Sequence, residues 1–228
     1  MDGSPWSEYP SEMTVQNDLI KSISSRYSGE ACQNSKLSCG NALNFAELRA
    51  DESLLDIGSG RGGDVFRAAK IIGASGRIVG VDCTDAMIET AEKIRLTQEL
   101  NHVEFLKAEF EIIPLADGSF DAAISNCAIN HSPDKKGVFK EIFRLLKKGG
   151  RCIISDILSV EPLPQEVAEN PAARAACYGG AVVENEYFHA VEEAGFRNIE
   201  ILEKSEPYLK EGFQIYSVTF RALKPADS

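Results

Sequence analysis

The chain has 228 residues, of which 43% are apolar and 26% charged, and its formal net charge is −11. This length and composition predict one globular domain with a short extension and a substantial core. The excess of acidic residues disfavours nucleic acid as a partner, because phosphate binding depends on dense lysine and arginine. The apolar runs are too short to span a bilayer, and the start MDGSPWSEYP lacks the pattern of a secretory signal. We therefore expect a cytoplasmic protein with a small-molecule substrate and no membrane partner; the composition indicates no oligomeric state.

Short apolar strands alternate with amphipathic helices from residue 53 onward, which is typical of a parallel α/β sheet. Strands are predicted at 53–57, 77–81, 103–106, 121–125, 151–155, 198–202 and 214–221, and helices at 63–72, from Thr84 or Asp85 onward, at 135–146 and at 184–194. The helix at 135–146 is expected to end at a glycine C-cap within 147–150. These elements predict a mainly parallel, seven-stranded sheet with helices on both faces.

Two segments fall outside this alternation. Residues 1–50 form an N-terminal extension, with predicted helices near 15–25 and 42–48, and residues 51–228 form the main domain. Within the main domain, residues 157–183 form a proline-bearing insertion. Long segments of this kind in a compact domain are usually lids or binding segments, so we expect both to fold over the substrate site at the carboxyl edge of the sheet.

A glycine-rich loop, Gly58-Ser-Gly-Arg-Gly-Gly63, joins the first strand to the first helix. Glycines here permit a tight turn and let backbone N–H groups approach a ligand. The same letters satisfy the dinucleotide pattern G-x-G-x-x-G, so the neighbouring residues have to decide. Asp56, at the end of the strand, would repel a pyrophosphate but attract the cationic ammonium and sulfonium of S-adenosylmethionine. A methyl donor is therefore favoured, and a nicotinamide oxidoreductase is the weaker alternative.

Two further acidic residues follow the next strands. Asp82 ends the second strand, where its carboxylate can accept hydrogen bonds from both ribose hydroxyls, and Glu109 follows the third, where it can accept from the adenine amino group. With these residues, segments 54–60, 81–82 and 108–115 resemble the class I S-adenosylmethionine-dependent methyltransferases, which have a Rossmann-like fold. The resemblance implies a cofactor site made of Asp56, Gly58, Ser59, Gly60, Arg61, Asp82, Cys83, Met87, Glu109, Phe110 and Asn126.

Further motifs resemble those of one methyltransferase family. They read SGRGGD at 59–64, SNCAIN at 125–130 with PDK at 133–135, CYGGA at 177–181 and YSVTFR at 216–221. From about Cys39 to Lys224 the chain resembles the arsenic(III) methyltransferases, in which cysteine thiolates hold trivalent arsenic and its lone pair attacks the sulfonium methyl. A soft, thiophilic atom prefers thiolates. Because this nucleophile carries no proton, no general base is needed and the protein mainly positions the two reactants.

The resemblance assigns the catalytic arsenic-binding thiols to Cys39 and Cys177. Cys32 has no clear counterpart in the family, and we treat it as a candidate third ligand. Cys127 is expected in the wall near the cofactor, and Cys152 as a small buried residue. The six cysteines form no CxxC pair, so structural zinc is not expected, and in a reducing cytosol neither are stable disulfides. A thiol reductant is expected as a partner.

The chain departs from the family near its last strand. The family often has another cysteine there, whereas this chain has Glu211-Gly-Phe-Gln214. Losing a third thiolate should weaken capture of inorganic arsenite more than capture of a monomethylated arsenical, which offers only two exchangeable positions. The sequence therefore predicts a two-thiol site.

Two other functions fit the sequence. A methyltransferase acting on a carbon, oxygen or nitrogen of an organic metabolite would need a base or polar cluster, for which His131, Asp134 and Tyr178 are candidates. His131 is equally well interpreted as a loop-exposed histidine without a function. The second alternative is a protein that binds a thiophilic ligand without turnover, against which the acidic donor site argues.

Overall fold

The computed structural model describes residues 21–23, 25–26 and 40–227. Their strands are β1 (Ser53–Ile57), β2 (Arg77–Asp82), β3 (Val103–Lys107), β4 (Phe120–Asn126), β5 (Leu146–Ser159), β6 (Arg197–Lys204), β7 (Tyr208–Lys210) and β8 (Phe213–Leu223). One sheet contains all of them in the order β3-β2-β1-β4-β5-β8-β6, with β7 paired to β8. The first five strands are parallel, and β8 is antiparallel to its neighbours.

Helices cover both faces of this sheet. They are α1 (Gly63–Ile72), α2 (Asp85–Thr97), α3 (Lys135–Leu145), α4 (Gln165–Ala168), α5 (Pro171–Ala175) and α6 (Glu184–Glu193), with 3-10 helices at Ala42–Phe45, Ile129–His131 and Tyr178–Gly180. The strand β1 is buried almost throughout because it packs on both sides. Its Leu55 belongs to the core under α3 and α6, and its Leu54 to the core under α1. The predicted α/β fold class is confirmed.

An eighth strand adds to the seven that the sequence predicts. This strand, β7, forms a hairpin with β8 in which Lys210 pairs with Phe213 across the turn at Glu211 and Gly212. Both Tyr208 and Leu209 are exposed. Sequence alternation misses such a strand, because it is three residues long and buries no face.

The predicted glycine C-cap after residue 146 is wrong. The helix α3 ends at Leu145, and Leu146 already has the extended backbone with which β5 begins. Gly149 and Gly150 instead exchange backbone hydrogen bonds with Lys224. Residues 147–150, which the local sequence would assign to a helix end, therefore belong to the strand β5.

The insertion also has different bounds from those predicted. Because β5 pairs with β8 as far as Ser159, the segment outside the sheet begins at Val160 and not at residue 157. It contains α4, α5 and the 3-10 helix Tyr178–Gly180. It is thus a folded cap rather than an irregular loop.

One helix begins where it was predicted, and another is shorter than predicted. The helix α2 begins at Asp85 with Thr84 at the N-cap position, but the Thr84 side chain makes no capping hydrogen bond. The helix predicted at 42–48 is a single 3-10 turn, Ala42–Phe45, and Glu47 then takes a left-handed backbone that cannot continue a helix.

The helix predicted at 15–25 lies mostly outside the described residues. Residues 21–23 and 25–26 are helical, and Ile23 is buried with Ala175 and the half-buried Cys83. This places part of the extension over the carboxyl edge of the sheet. Among the described residues, none of the helices combines the length and apolar character that crossing a bilayer requires.

Candidate active site

The strand order reverses between β1 and β4, whose neighbours β2 and β5 lie on opposite sides of this central pair. In open α/β sheets ligands bind in the crevice outside the carboxyl ends of the strands at such a reversal. Here the glycine-rich loop leaves β1, and the chain leaves β4 at Cys127. The N–H groups of Gly58 and Ser59 both donate to the Val81 carbonyl at 2.8 and 2.9 Å, which holds the loop against β2.

Two glycines give the loop a packed side and an open side. Gly58 has a φ of +74°, and a Cβ there would lie 2.1 Å from the Ala128 Cβ. Gly60 has a φ of +52°, but a Cβ on it would meet no described atom within 4 Å. The loop therefore rests on Ala128 and leaves space beside Gly60.

This difference predicts separate effects for alanine at the two positions. Gly58→Ala should lower the free energy of unfolding by about 2–5 kcal/mol, because a left-handed residue costs roughly 1–2 kcal/mol and an overpacked contact roughly 1–3 kcal/mol. Gly60→Ala should cost only the left-handed strain, about 1–2 kcal/mol, while its methyl group obstructs the predicted donor site. Urea unfolding measures the loss of stability in each variant, and calorimetric titration with S-adenosylmethionine measures the loss of donor affinity. Equal losses of stability in the two variants would contradict the packing described.

Three carboxylates meet around the loop. Asp56 is 3% exposed; burial, followed by repulsion from Asp64 and Asp82, raises the pKa of its carboxyl group well above the usual range. Burial also raises the pKa of Asp82, although its carboxylate accepts hydrogen bonds from the N–H groups of Gly60 at 3.0 Å and Thr84 at 2.8 Å. A cationic ligand would relieve this repulsion, whereas an anionic one would increase it.

Asn126 connects the loop side of the site to the N-terminal extension. Its Nδ2 donates to Asp64 at 2.8 Å, and its Oδ1 accepts from the Ala42 N–H at 3.1 Å. Gly40 lies so close that an added Cβ would be 2.4 Å from both Asn126 Oδ1 and Ser155 Cβ. The extension thus reaches the end of β4 and the neighbouring part of β5 at the residue that directly follows Cys39. Cys39 and Cys32 themselves lie outside the described residues.

The other predicted cofactor residues surround the same loop and the strands next to it. Met87 and Phe110 are buried, Arg61 and Cys83 are half-buried, and Glu109 is exposed two residues after the end of β3. The buried Ser59 hydroxyl has no hydrogen-bond partner among the described residues. Because buried hydroxyls normally have a partner, this group is suited to a ligand that brings one. The assignment of these residues to a cofactor stays a prediction.

Cys177 lies close to the end of β4. It is 9% exposed, and its Sγ is 3.5 Å from the backbone carbonyl of Cys127, to which it donates. Both cysteines have left-handed backbones, with φ values of +69° and +53°. Non-glycine residues rarely adopt this conformation, and it concentrates at functional sites. The structure therefore places Cys127, predicted for the cofactor wall, directly beside Cys177.

The two glycines after Cys177 explain how that loop packs. A Cβ at Gly180 would lie 1.8 Å from the Asn130 carbonyl oxygen, and one at Gly179 would lie 2.6 Å from the backbone of Ala173. Backbone contacts this close leave no room for a side chain. Gly179 and Gly180 thereby hold the Cys177 loop against the segment that follows β4.

A cavity of about 210 Å³ opens beside Cys127. Its wall includes Gly40, Ser155, Lys204 and Thr219. Such a volume suits a small acceptor rather than a drug-sized ligand. The residue next to Cys39 therefore lines the same space as Cys127.

His131 is not a loop-exposed residue, because it is 7% exposed in the 3-10 helix Ile129–His131. Its Nδ1 lies 3.1 Å from the Arg174 carbonyl, and its Nε2 lies 3.5 Å from Cys177 Sγ. Burial lowers the pKa of His131 to about 4. Among the other candidate bases, the Asp134 carboxylate caps α3 by accepting from Gly137 N–H at 2.8 Å, and Tyr178 stacks on Phe213.

The buried His131 predicts a loss of stability in acid. Its folded-state pKa is depressed below the unfolded value of 6.5, so its contribution is present above pH 6.5 and is lost as the pH falls toward 4. Relative to His131→Gln, the wild-type protein should lose about 2 kcal/mol of unfolding free energy between pH 7.5 and 5. Urea unfolding of both proteins at the two pH values gives this difference. Parallel pH dependences would mean that the imidazole is not buried in neutral form.

The two other described cysteines have protonated thiols. Burial raises the pKa of Cys152 to about 12, and burial followed by the charge of Asp82 raises that of Cys83 to about 12. Cys152 is fully buried in β5, as predicted. Neither is suited to binding a thiophilic atom as a thiolate at neutral pH.

Comparison with known proteins gives consistent matches. A family model described as a methyltransferase domain matches residues 48–195. An arsenite methyltransferase from Halobacterium salinarum is 37% identical over 199 residues, which make up 83% of this chain and 51% of that protein. The mouse arsenite methyltransferase is 30% identical over 192 residues, covering 80% of this chain and 48% of that protein. The chain thus spans about half the length of the curated relatives it matches.

A solved structure agrees with the sequence relatives. The arsenic(III) S-adenosylmethionine methyltransferase from Chlamydomonas reinhardtii superposes with a TM-score of 0.73 at 30% identity, covering 91% of this chain and 74% of that one. The chain therefore belongs to the methyltransferase-domain family and, within the class I S-adenosylmethionine-dependent enzymes, to the arsenic(III) methyltransferases.

Proposed function

We propose that this chain transfers a methyl group from S-adenosylmethionine to trivalent arsenic held by Cys39 and Cys177. The observation that carries the proposal is the position of Cys177. Its buried thiol lies beside Cys127, where β4 ends next to the acidic glycine-rich loop. A soft-atom site and a site for a cationic ligand therefore adjoin each other at one edge of the sheet.

The loop fits S-adenosylmethionine on three grounds. Asp56 offers a buried carboxyl group whose charged form a cationic ammonium or sulfonium would stabilise. Asp82 offers carboxylate oxygens to ribose hydroxyls, and the Ser59 hydroxyl lacks a partner among the described residues. When bound, S-adenosylmethionine supplies a methyl group on a cationic sulfur. The residues of the loop bind and orient this donor and exclude water from it.

On the acceptor side the chain supplies thiols and a small cavity. Gly40, the neighbour of Cys39, and Cys127, the neighbour of Cys177, both line that cavity. Trivalent arsenic bound by two thiolates keeps its lone pair, so no residue has to remove a proton from the nucleophile. We propose that residues 1–50 and 160–183 cap the site and exclude water, since described parts of both lie over the sheet edge.

The number of thiols bears on the substrate. Glu211 and Gly212, near the place where relatives often have a cysteine, form the turn between β7 and β8. A two-thiol site favours monomethylarsonous acid over arsenite, and Cys32 is the candidate for a third thiolate. A cytoplasmic location and a small-thiol reductant belong to the same proposal, because the thiols must stay reduced.

An organic acceptor has less support. The base that it would require is missing from the obvious candidates, because Asp134 caps α3 and His131 contacts Cys177. A protein that only binds a thiophilic ligand would not need a methyl-donor site, so the acidic glycine-rich loop argues against this alternative.

Methyl transfer from labelled S-adenosylmethionine tests the proposal. Arsenite, monomethylarsonous acid and a panel of organic acceptors are each supplied with excess thiol. We expect label on arsenic, with monomethylarsonous acid the better substrate. Label on an organic acceptor alone would replace the arsenic assignment, and donor binding without any transfer would indicate a binding protein.

A further inference from the structure

The contact between His131 and Cys177 has no role in the reaction as proposed so far. The two residues are 46 positions apart in sequence, yet Nε2 and Sγ are 3.5 Å apart, which is hydrogen-bond distance for sulfur. Both side chains are buried. A titratable ring in the segment that follows β4 therefore contacts the proposed substrate-binding thiol of the cap.

The backbone of α5 selects one form of the imidazole ring. Nδ1 lies 3.1 Å from the Arg174 carbonyl oxygen, which can only accept, so Nδ1 carries the proton and donates it. In the neutral ring Nε2 then carries a lone pair and can accept a hydrogen bond. That lone pair faces Cys177 Sγ, so the thiol is the donor in this contact.

The thiol has one hydrogen to donate, and two acceptors in the part of the chain that the structure describes lie within reach of it. The Cys127 carbonyl oxygen and His131 Nε2 are each 3.5 Å from Sγ. A backbone carbonyl orients the hydrogen but cannot remove it, whereas an imidazole nitrogen can accept it as a proton. Of these two acceptors, His131 Nε2 is therefore the one that can take the proton.

We propose that His131 is a positioning residue that accepts the Cys177 proton when this sulfur bonds to trivalent arsenic. The inference rests on the proposed function for the identity of the substrate. In the exchange, Cys177 Sγ forms a bond to arsenic, and a hydroxide or thiolate leaves arsenic. The proton passes from Sγ to Nε2 and then to the leaving group, which departs as water or thiol. Nothing is oxidised or reduced.

The test measures Cys177 directly in the full-length chain, without a methyl donor. Phenylarsine oxide is the arsenical probe and iodoacetamide the alkylating probe, and peptide mass spectrometry follows their reaction at Cys177 over time. The variants are His131→Ala, His131→Gln and, as a matched control, His189→Ala. His189 is exposed on α6 and pairs with Glu193. Circular dichroism and donor affinity check that each variant is folded.

We expect His131→Ala to slow both reactions of Cys177 about 100-fold. Imidazole in the buffer should restore much of the rate, because it fits the space left by the ring. His131→Gln should be as slow but insensitive to imidazole, and His189→Ala should react like the wild type.

Wild-type rates in both His131 variants, or a slow His131→Ala that imidazole does not rescue, would overturn the proposal. The experiment tests the pair of His131 and Cys177 independently of the proposed substrate. Loss of Cys177 reactivity in His131→Ala in a chain that methylates no arsenical would uphold the pair and reject the substrate, whereas methylation with unchanged Cys177 kinetics would do the reverse.

Discussion

Asp56→Asn is expected to raise the dissociation constant for S-adenosylmethionine about 100-fold and to stabilise the free protein. The loss of affinity follows because a desolvated charge pair typically contributes 2–5 kcal/mol when one partner is removed. The gain in stability follows because the Asp56 carboxyl group has a raised pKa in the folded state, so its stabilising contribution is lost as the pH rises through that pKa. Asparagine removes the charge while keeping the volume.

Calorimetric titration and urea unfolding at neutral pH measure the two effects together. We expect unfolding free energy to rise by about 1 kcal/mol or more. Asp85→Asn is the matched control, since Asp85 lies at the start of α2 but its carboxylate is exposed and pairs with Lys107. Unchanged donor affinity in Asp56→Asn would remove the electrostatic basis of the donor site.

Serine at Cys177 or Cys39 is expected to lower methyl transfer to monomethylarsonous acid by about 100-fold or more, while donor affinity stays within about twofold. The hydroxyl is a hard ligand for a soft atom, and an acceptor held by one thiolate loses its orientation toward the donor. Rates under saturating donor, with calorimetry for donor affinity, give the comparison.

Two cysteine controls accompany this experiment. Cys152→Ala should keep the rate and lose only stability, because Cys152 is fully buried in β5. Cys32→Ser distinguishes a third ligand, which would lower the rate with arsenite more than with the monomethylated substrate. If Cys177→Ser and Cys39→Ser both methylate at the wild-type rate, the two-thiol assignment is wrong.

The wrongly predicted glycine C-cap after residue 146 shows where the local sequence no longer determines the secondary structure. The strands β1, β2 and β4 are predictable because each is a short buried apolar run before a glycine or a polar end. The segment Lys147-Lys-Gly-Gly150 has the composition of a helix end, but pairing with Lys224 draws it into the sheet. The residues near 147–150 do not by themselves predict this pairing, because Lys224 is distant in sequence.

The residues of the site likewise divide into those that the sequence predicts and those whose roles depend on the fold. Asp56 and Asp82 are recognisable because each ends a strand next to the glycine-rich loop. The roles of Asp64, which repels Asp56 and binds Asn126, and of His131 depend on which distant segments fold beside them. For His131 those segments supply the Arg174 carbonyl and Cys177, both more than 40 positions away. Its burial is a property of the cap and not of its own loop.

The buried acidic cluster and the thiol pair together make one claim, that arsenic bound to this chain is itself the methyl acceptor. A single-turnover experiment tests it most directly. The reduced protein is loaded with monomethylarsonous acid, freed of excess, and mixed with methyl-labelled S-adenosylmethionine together with a dithiol that captures any released arsenic. We predict that most of the bound arsenic is recovered as labelled dimethylated product, and that Cys177→Ser yields none. Recovery of unlabelled monomethylated arsenic on the dithiol, with the donor intact, would contradict the account.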